Sequence, residues 1–407
     1  MLGDRVILHC DCNSFFASVE TALNPALADF PMAVCGDPEQ RHGIVLAKNE
    51  LAKRYGIKTA QTVYEAKKLC PELVIVPPHY DKYVEYSRRV NSIYAEYTDL
   101  IEPFGIDESW LDVTASERIF GNGTDIAEAI RRRVEKEVGI TVSIGVSFNK
   151  VFAKLGSDYK KPNAVTLISR DNYAEIVYPL PVEWLLFVGK KTVDVLENIG
   201  IRTIGDLSRA PIDLIRNKLG RFGEVIYGYA RGEDKSPVSS EREDAKSVGN
   251  GFTFKKDLTS FDEIRCGVDY LSEEIGSRLR ESGFVCSTIS VQIKDEFLRV
   301  SQKQAQLRSP TDISREISET ALKIISSVWS PSKPIRTITV TATGLAHASE
   351  AATQIDLFSD ETSDALRERA RRNEEAVDEI RKRFGRGAIV RGSSLNNQIG
   401  IYDPKNK

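Results

Sequence analysis

Ile101-Glu102-Pro103-Phe104-Gly105-Ile106-Asp107-Glu108-Ser109-Trp110-Leu111-Asp112-Val113 sets two adjacent carboxylates between apolar arms. The pattern predicts a β-hairpin with Asp107 and Glu108 at its tight bend and arms that enter a core. Neighbouring anions repel and are costly to desolvate, so the pair makes sense when a divalent cation sits between them. A third acid is then expected. Val6-Ile7-Leu8-His9-Cys10-Asp11 supplies it as a buried strand ending in a carboxylate, followed directly by a helix from Ser14 to Leu23. An acid at a strand tip beside an acid pair at a bend is the arrangement that holds two Mg²⁺ ions about 4 Å apart for in-line phosphoryl transfer. Mg²⁺ takes hard oxygens from a few carboxylates and leaves the rest of its shell to substrate phosphates. Solvated turn residues are the plain alternative for each acid alone; adjacency between apolar arms argues against it.

A chain of 407 residues exceeds one core, so two to four domains are expected. A hydrophobic fraction of 41% with 28% charged residues is ordinary for a soluble protein. No apolar run reaches the length of a membrane span, and Met1-Leu2-Gly3-Asp4-Arg5 is no signal peptide. A cytoplasmic protein with no membrane partner is expected. Cys10, Cys12, Cys35, Cys70, Cys266 and Cys286 lack CxxC spacing, which points to reduced thiols and away from zinc or disulfides. A net charge of -3 is compatible with nucleic-acid binding only if the basic residues are gathered on one face.

After the first helix, Met32 to Cys35 and Gly43 to Ala47 read as short strands leading into small helices, Lys48 to Tyr55 and Val63 to Leu69. Tyr83 to Ile101 is predicted as an amphipathic helix, its tyrosines spaced as core packing. Asp125 to Val138 follows as a helix closed by Gly139, then Ile140 to Ser147 as a strand with one buried face. Strand, helix, hairpin, helix, strand fits a mixed sheet with both helices on one face, leaving the acids free to meet on the other. Lys150 to Tyr159 reads as a further helix, and Lys150, Lys154, Lys160 and Lys161 form a cationic cluster suited to a triphosphate.

From Pro179 the chain turns to short helices joined by glycine. Leu186-Phe187-Val188-Gly189-Lys190-Lys191-Thr192 and Asn198-Ile199-Gly200-Ile201 read as a helix-hairpin-helix unit, in which Gly189 and Gly200 let backbone N-H groups approach a phosphate without reading bases. Residues 233–246 are polar and read as a linker. Beyond them the pattern spells β-α-β-β-α-β. In its last strand Thr337, Thr339, Thr341 and Thr343 share one face. With Lys294, Arg299, Lys303 and Arg336 nearby, that face could lie along a phosphate backbone.

Asp11-Cys12-Asn13-Ser14-Phe15-Phe16-Ala17-Ser18-Val19-Glu20, Phe104-Gly105-Ile106-Asp107-Glu108-Ser109-Trp110-Leu111-Asp112, and Ser143-Ile144-Gly145-Val146-Ser147 with Asn149, Lys150 and Lys154 resemble the three motifs of the Y-family DNA polymerases. The resemblance spans residues 1 to 345. It implies an α+β multidomain fold: a palm with a mixed sheet and two helices (1–18 and 80–170), small fingers (19–79), a helical thumb (171–232), a linker (233–246), a β-α-β-β-α-β little finger (247–345) and a tail (346–407). It implies that Asp11, Asp107 and Glu108 ligate two Mg²⁺ together with the Cys12 carbonyl. Phe16 is implied as the steric gate against a 2′-hydroxyl, Lys53 and Lys161 as triphosphate contacts, and Phe15 as packing against the nucleotide. This chain departs from the family at Asn13 (an acid in many relatives), Glu50 (expected tyrosine), Lys53 (usually arginine) and Phe187 (expected glycine).

In the tail, Gln354-Ile355-Asp356-Leu357-Phe358 resembles the bacterial sliding-clamp motif, with Leu357 and Phe358 as apolar plugs and Gln354 as polar anchor. Ala365 to Phe384 is expected as a charged helix without assigned function. The reaction implied is template-directed addition of deoxynucleoside triphosphates to a primer-template DNA by a monomer, with low fidelity. No second acidic cluster offers a proofreading nuclease. A nucleotidyl cyclase shares the palm but needs no helix-hairpin-helix unit, and a non-catalytic DNA-repair scaffold should have lost a metal carboxylate, whereas all three stand here.

Overall fold

The structure, a computed structural model, describes residues 4–39, 41–241, 244–330, 333–350, 361–392 and 398–401. The chain divides into two compact units, residues 1–36 with 44–242 and residues 37–43 with 243–407.

The first unit is built on a five-stranded sheet ordered β5-β6-β1-β7-β8. Its strands are β1 (Ile7–Cys12), β5 (Ile101–Pro103), β6 (Glu108–Asp112), β7 (Val142–Ser147) and β8 (Val165–Ile168). β1 lies centrally, antiparallel to β6 and β7, while β7 and β8 run parallel. Alternation along β1 sends Leu8, Cys10 and Cys12 to one face, where they pack on α4 (Tyr80–Ala95) and α6 (Gly123–Arg133) through Tyr83, Tyr94, Ile126 and Ile130. α1 (Phe15–Leu23) joins that core. The other face takes α7 (Lys150–Tyr159), which lies so close to β7 that a Cβ on Gly145 would sit 1.8 Å from the Ala153 carbonyl oxygen.

Two expectations change here. β7 is buried along its whole length, because α6 and α7 cover opposite faces where one covered face was expected. α4 stops at Ala95, well before Ile101, because Ile101 is drawn into β5 by pairing with Leu111.

A separate small sheet, β3-β2-β4, joins β2 (Met32–Cys35), β3 (Val45–Lys48) and β4 (Val74–Val76). It packs with α2 (Glu50–Arg54) and α3 (Val63–Leu69) around Ala33, Val45, Ala52 and Ala66. β4 was not expected; its three residues are too few to show a period. A short α5 (Glu117–Phe120) precedes α6. Then α8 (Tyr173–Val177), α9 (Lys190–Glu197), α10 (Ile204–Arg209) and α11 (Ile212–Ala230, broken at Gly220, φ 62°) pack around Val188, Leu196, Ile204 and Ile226. The expected linker is not wholly free: Val238 is 5% exposed against Ile7 and Trp110, and Ser239 N-H donates to Glu102 Oε2 at 2.9 Å.

The second unit is an antiparallel sheet, β11-β10-β12-β9, formed by β9 (Ser247–Leu258), β10 (Phe284–Asp295), β11 (Val300–Thr311) and β12 (Ile335–His347). α12 (Phe261–Glu281) and α13 (Ser314–Ser326) cover its apolar face around Phe254, Leu271, Ile289, Ile317 and Val340. α14 (Glu361–Phe384) also belongs to this unit: Glu374 and Asp378 pair with Arg280 on α12. Ile399 and Ile401 enter the same core, and Lys255 N-H donates to the Ile399 carbonyl. No described helix is long and apolar enough to cross a membrane.

Candidate active site

The hairpin forms as the apolar arms dictate, but only Asp107 lies in the bend; Glu108, expected there as well, opens β6. Gly105 takes φ 91°, and Phe104 N-H donates to the Glu108 carbonyl at 2.8 Å to close the turn. Strand register then does the gathering. Asp11 on β1 stands directly across from Glu108 on β6, and directly across from Ser143 on β7, so these side chains share a face. Cys12 N-H donates to the Asp107 carbonyl at 3.0 Å, tying the bend to the end of β1. The three acids, brought from positions about a hundred residues apart, line one cleft of about 390 Å³ together with Cys12, Phe15, Lys53 and Lys161.

Lysines answer two of the acids. Lys161 Nζ lies 2.6 Å from Asp11 Oδ2 and 2.8 Å from Asp158, and Lys154 Nζ lies 2.5 Å from Glu108 Oε2. Burial raises the Asp11 carboxyl to about 6 although Lys161 pulls it back. Burial and the neighbouring Glu108 also push Asp107 upward. Glu108 behaves oppositely: burial would raise it, but His9 and Lys154 outweigh burial and hold it at about 2. Lys150, expected in the same cationic cluster, turns away to Glu102 at 2.6 Å and over the Trp110 ring.

The donor set suits a hard divalent cation: three carboxylates and a backbone carbonyl, with no sulfur or imidazole needed. Among the described residues no three metal-binding side chains are already closed into a cage. Ammonium groups occupy two of the three carboxylates, so a cation held by all three would have to displace those lysines.

Several residues earn their place only in three dimensions. Asn13, where many relatives have an acid, is buried and bonds through both ends of its amide: Nδ2 donates to Ser143 Oγ at 2.8 Å, and Oδ1 accepts from Asn163 N-H at 2.8 Å and from the Thr141 hydroxyl at 3.1 Å. It thereby anchors the loop that carries Lys161. His9, on Asp11's face by simple alternation, is buried, which holds it at about 4. Its Nδ1 lies 2.8 Å from Ser157 Oγ, and its Nε2 lies 3.2 Å from Glu108 without hydrogen-bond alignment. Phe16 stacks flat on Tyr83, with centroids 4.0 Å apart and planes at 11°, and the Tyr83 hydroxyl donates to the buried Glu20 carboxylate at 2.5 Å. Phe16 is not among the residues that line the cleft, whereas Phe15, 3% exposed, is. Lys53 is held by Glu50 at 2.5 Å.

Elsewhere, Gly200 takes φ 81°, but Gly189 has φ -92° and begins α9 with no side-chain cap; the left-handed residue of that first hairpin is Phe187. In the second unit Thr337, Thr339, Thr341 and Thr343 face Thr253, Gly251, Gly249 and Ser247 on one side and Lys294, Gln292, Ser290 and Thr288 on the other, a face of hydroxyls and amides with Lys294 at one end. Arg336 sits at an irregularity between Ile335 and Thr337. Lys303, placed near that face by sequence, bonds Ser327 on the helix side. Gln354, Leu357 and Phe358 lie outside the described residues.

With this geometry in hand, comparison with known proteins gives a consistent outcome. The impB/mucB/samB family profile matches residues 10–158, and that of the family's C-terminal domain matches residues 245–357. The chain is 46% identical over 396 residues to DNA polymerase IV of Acetivibrio thermocellus, covering 97% of this chain and 98% of that one. It is 36% identical over 403 residues to DNA polymerase IV 2 of Bacillus subtilis, with 97% and 96% covered. A Y-family DNA polymerase chimera, Dbh-Dpo4(243-245)-Dbh, superposes with a TM-score of 0.74 at 23% identity, covering 83% of this chain and 98% of the other, which establishes the fold. The chain belongs to the impB/mucB/samB family of Y-family DNA polymerases. It is a DNA-directed DNA polymerase of the translesion type, similar to bacterial DNA polymerase IV throughout its length, and depends on a divalent metal.

Proposed function

We propose that the cleft at the β1–β6 junction is where this polymerase extends a primer by two-metal phosphoryl transfer, with Asp11, Asp107, Glu108 and the Cys12 carbonyl as ligands of two Mg²⁺. The register that sets Asp11 across from Glu108 supports this reading most directly. When bound, the ions lower the pKa of the primer 3′-hydroxyl and neutralise the departing pyrophosphate. Lys161 and Lys53, released from Asp11 and Glu50, take the triphosphate oxygens. Phe16 does not line the cleft as it stands but is fixed beside Phe15 by its stack on Tyr83, and in this reading it is the gate that excludes a 2′-hydroxyl by clash.

In this reading residues 1–18 with 80–170 are the palm, 19–79 the fingers, 171–232 the thumb and 247–345 the little finger. The thumb hairpins at Gly189 and Gly200 and the hydroxyl face with Lys294 and Arg336 hold the primer-template backbone. The enzyme is a low-fidelity cytoplasmic monomer without proofreading, tethered to a sliding clamp through Gln354, Leu357 and Phe358.

Primer extension tests the centre of this. Asp107→Ala is expected to abolish synthesis while leaving DNA binding intact; undiminished extension would falsify the assignment. Phe16→Ala is expected to admit ribonucleotides. Deleting residues 354–358 is expected to remove clamp stimulation and spare basal synthesis.

A further inference from the structure

Phe187 occupies a position that its own fold penalises. Leu185 to Val188 form a four-residue turn closed by Val188 N-H donating to the Leu185 carbonyl at 3.0 Å. Leu185 and Val188 are plugged into the helical core, so the turn cannot shift to relieve its third residue. That residue must take φ 67°, a conformation suited to glycine and strained for an aromatic side chain. The residue is 58% exposed, and its ring makes no aromatic or cation contact among the described residues. Glycine there would remove both the strain and the exposed apolar surface, and no ring or cation contact among the described residues accounts for phenylalanine. A strained residue that the fold does not need directs attention to a partner outside the molecule. Three and four residues further on, Lys190 and Lys191 stand exposed at the start of α9. Cations beside an apolar ring match a ligand with phosphates and sugar faces, and the established substrate of this enzyme is DNA.

We propose that Phe187 is a DNA-contact residue, its ring laid against a deoxyribose of the bound primer-template next to the phosphate engaged by Lys190 and Lys191. This rests on the reading of the thumb hairpin as a DNA-backbone grip. Apolar contact of this kind carries no counterion release, so it differs from the lysines in salt dependence.

The test uses the full chain, thermal unfolding, and primer-template affinity by fluorescence anisotropy across a salt series. Phe187→Gly is expected to unfold at a higher temperature than the parent, yet to bind primer-template about five- to tenfold more weakly with an unchanged salt slope. Phe187→Trp should recover most of that affinity. Lys190→Ala with Lys191→Ala should weaken binding and reduce the salt slope by about 2. Parental affinity in Phe187→Gly, with weakened binding in the lysine variant, overturns the Phe187 contact and leaves the thumb reading standing. Parental affinity in both overturns the thumb reading and this inference with it. A lowered unfolding temperature in Phe187→Gly also overturns the inference, because the ring would then be serving its own chain.

Discussion

Asp11 is pulled in two directions, by burial toward the protonated form and by Lys161 toward the anion, and burial prevails. A carboxyl that holds its proton more firmly when folded makes the metal-free protein lose stability as pH climbs from 3.8 to about 6, on the order of 3 kcal/mol. Glu108 has the opposite sign: its contribution is present above 4.5 and is lost as pH falls toward about 2. Urea unfolding with chelator at pH 4.8 and pH 7 separates them. Asp11→Asn is expected to reduce the decline between those two values, leaving the part that Asp107, also pushed upward, contributes; persistence of the full decline would assign it to another group. At Glu50, the pairing with Lys53 withholds an ammonium from the cleft. Glu50→Ala is therefore expected to lower KM for the incoming nucleotide about two- to fivefold with kcat unchanged, the scale of an exposed ion pair.

Among the elements, α7 decides how the site is assembled. Gly145 and Gly156 let it lie flush on β7, which is what brings Lys154 to Glu108 and Ser157 to His9. Gly145→Ala drives a methyl group into the Ala153 carbonyl, so a loss of about 3 kcal/mol or more in unfolding free energy is expected, together with weakened nucleotide binding. The elements themselves were largely legible. α7 begins and ends at the expected residues, the hairpin forms although Glu108 belongs to β6 and only Asp107 to the bend, and the β-α-β-β-α-β order of the second unit holds. The acids could be found because a charged pair between apolar arms is a local signal. What sequence did not carry is register and reach. Nothing local shows that Lys150 faces Glu102 while Lys154 faces Glu108, that Asn13 ties down the Lys161 loop, or that Val238 docks the linker. Each depends on partners more than forty residues away.

At the scale of the whole molecule, the C-terminal region is structural in the second unit. Glu374 accepts from Ser314 N-H at the start of α13 and pairs with Arg280, which is itself nearly buried, while Ile399 and Ile401 fill the core. Removing residues 361–407 strands Arg280 without its carboxylates and opens that core. Calorimetry is expected to show a loss of about 3–5 kcal/mol, whereas deleting only 354–358 should leave the melting profile unchanged. Equal melting of the long truncation and the full chain would show that the tail is dispensable for folding. The ammonium groups on Asp11 and Glu108 also bear on how a catalytic cycle begins. Two of the three carboxylates already hold an ammonium group, so the protein's pull on stray free ions is reduced. Cation and triphosphate are expected to arrive as one package whose phosphates draw the lysines off, giving weak Mn²⁺ uptake by electron paramagnetic resonance until nucleotide is added.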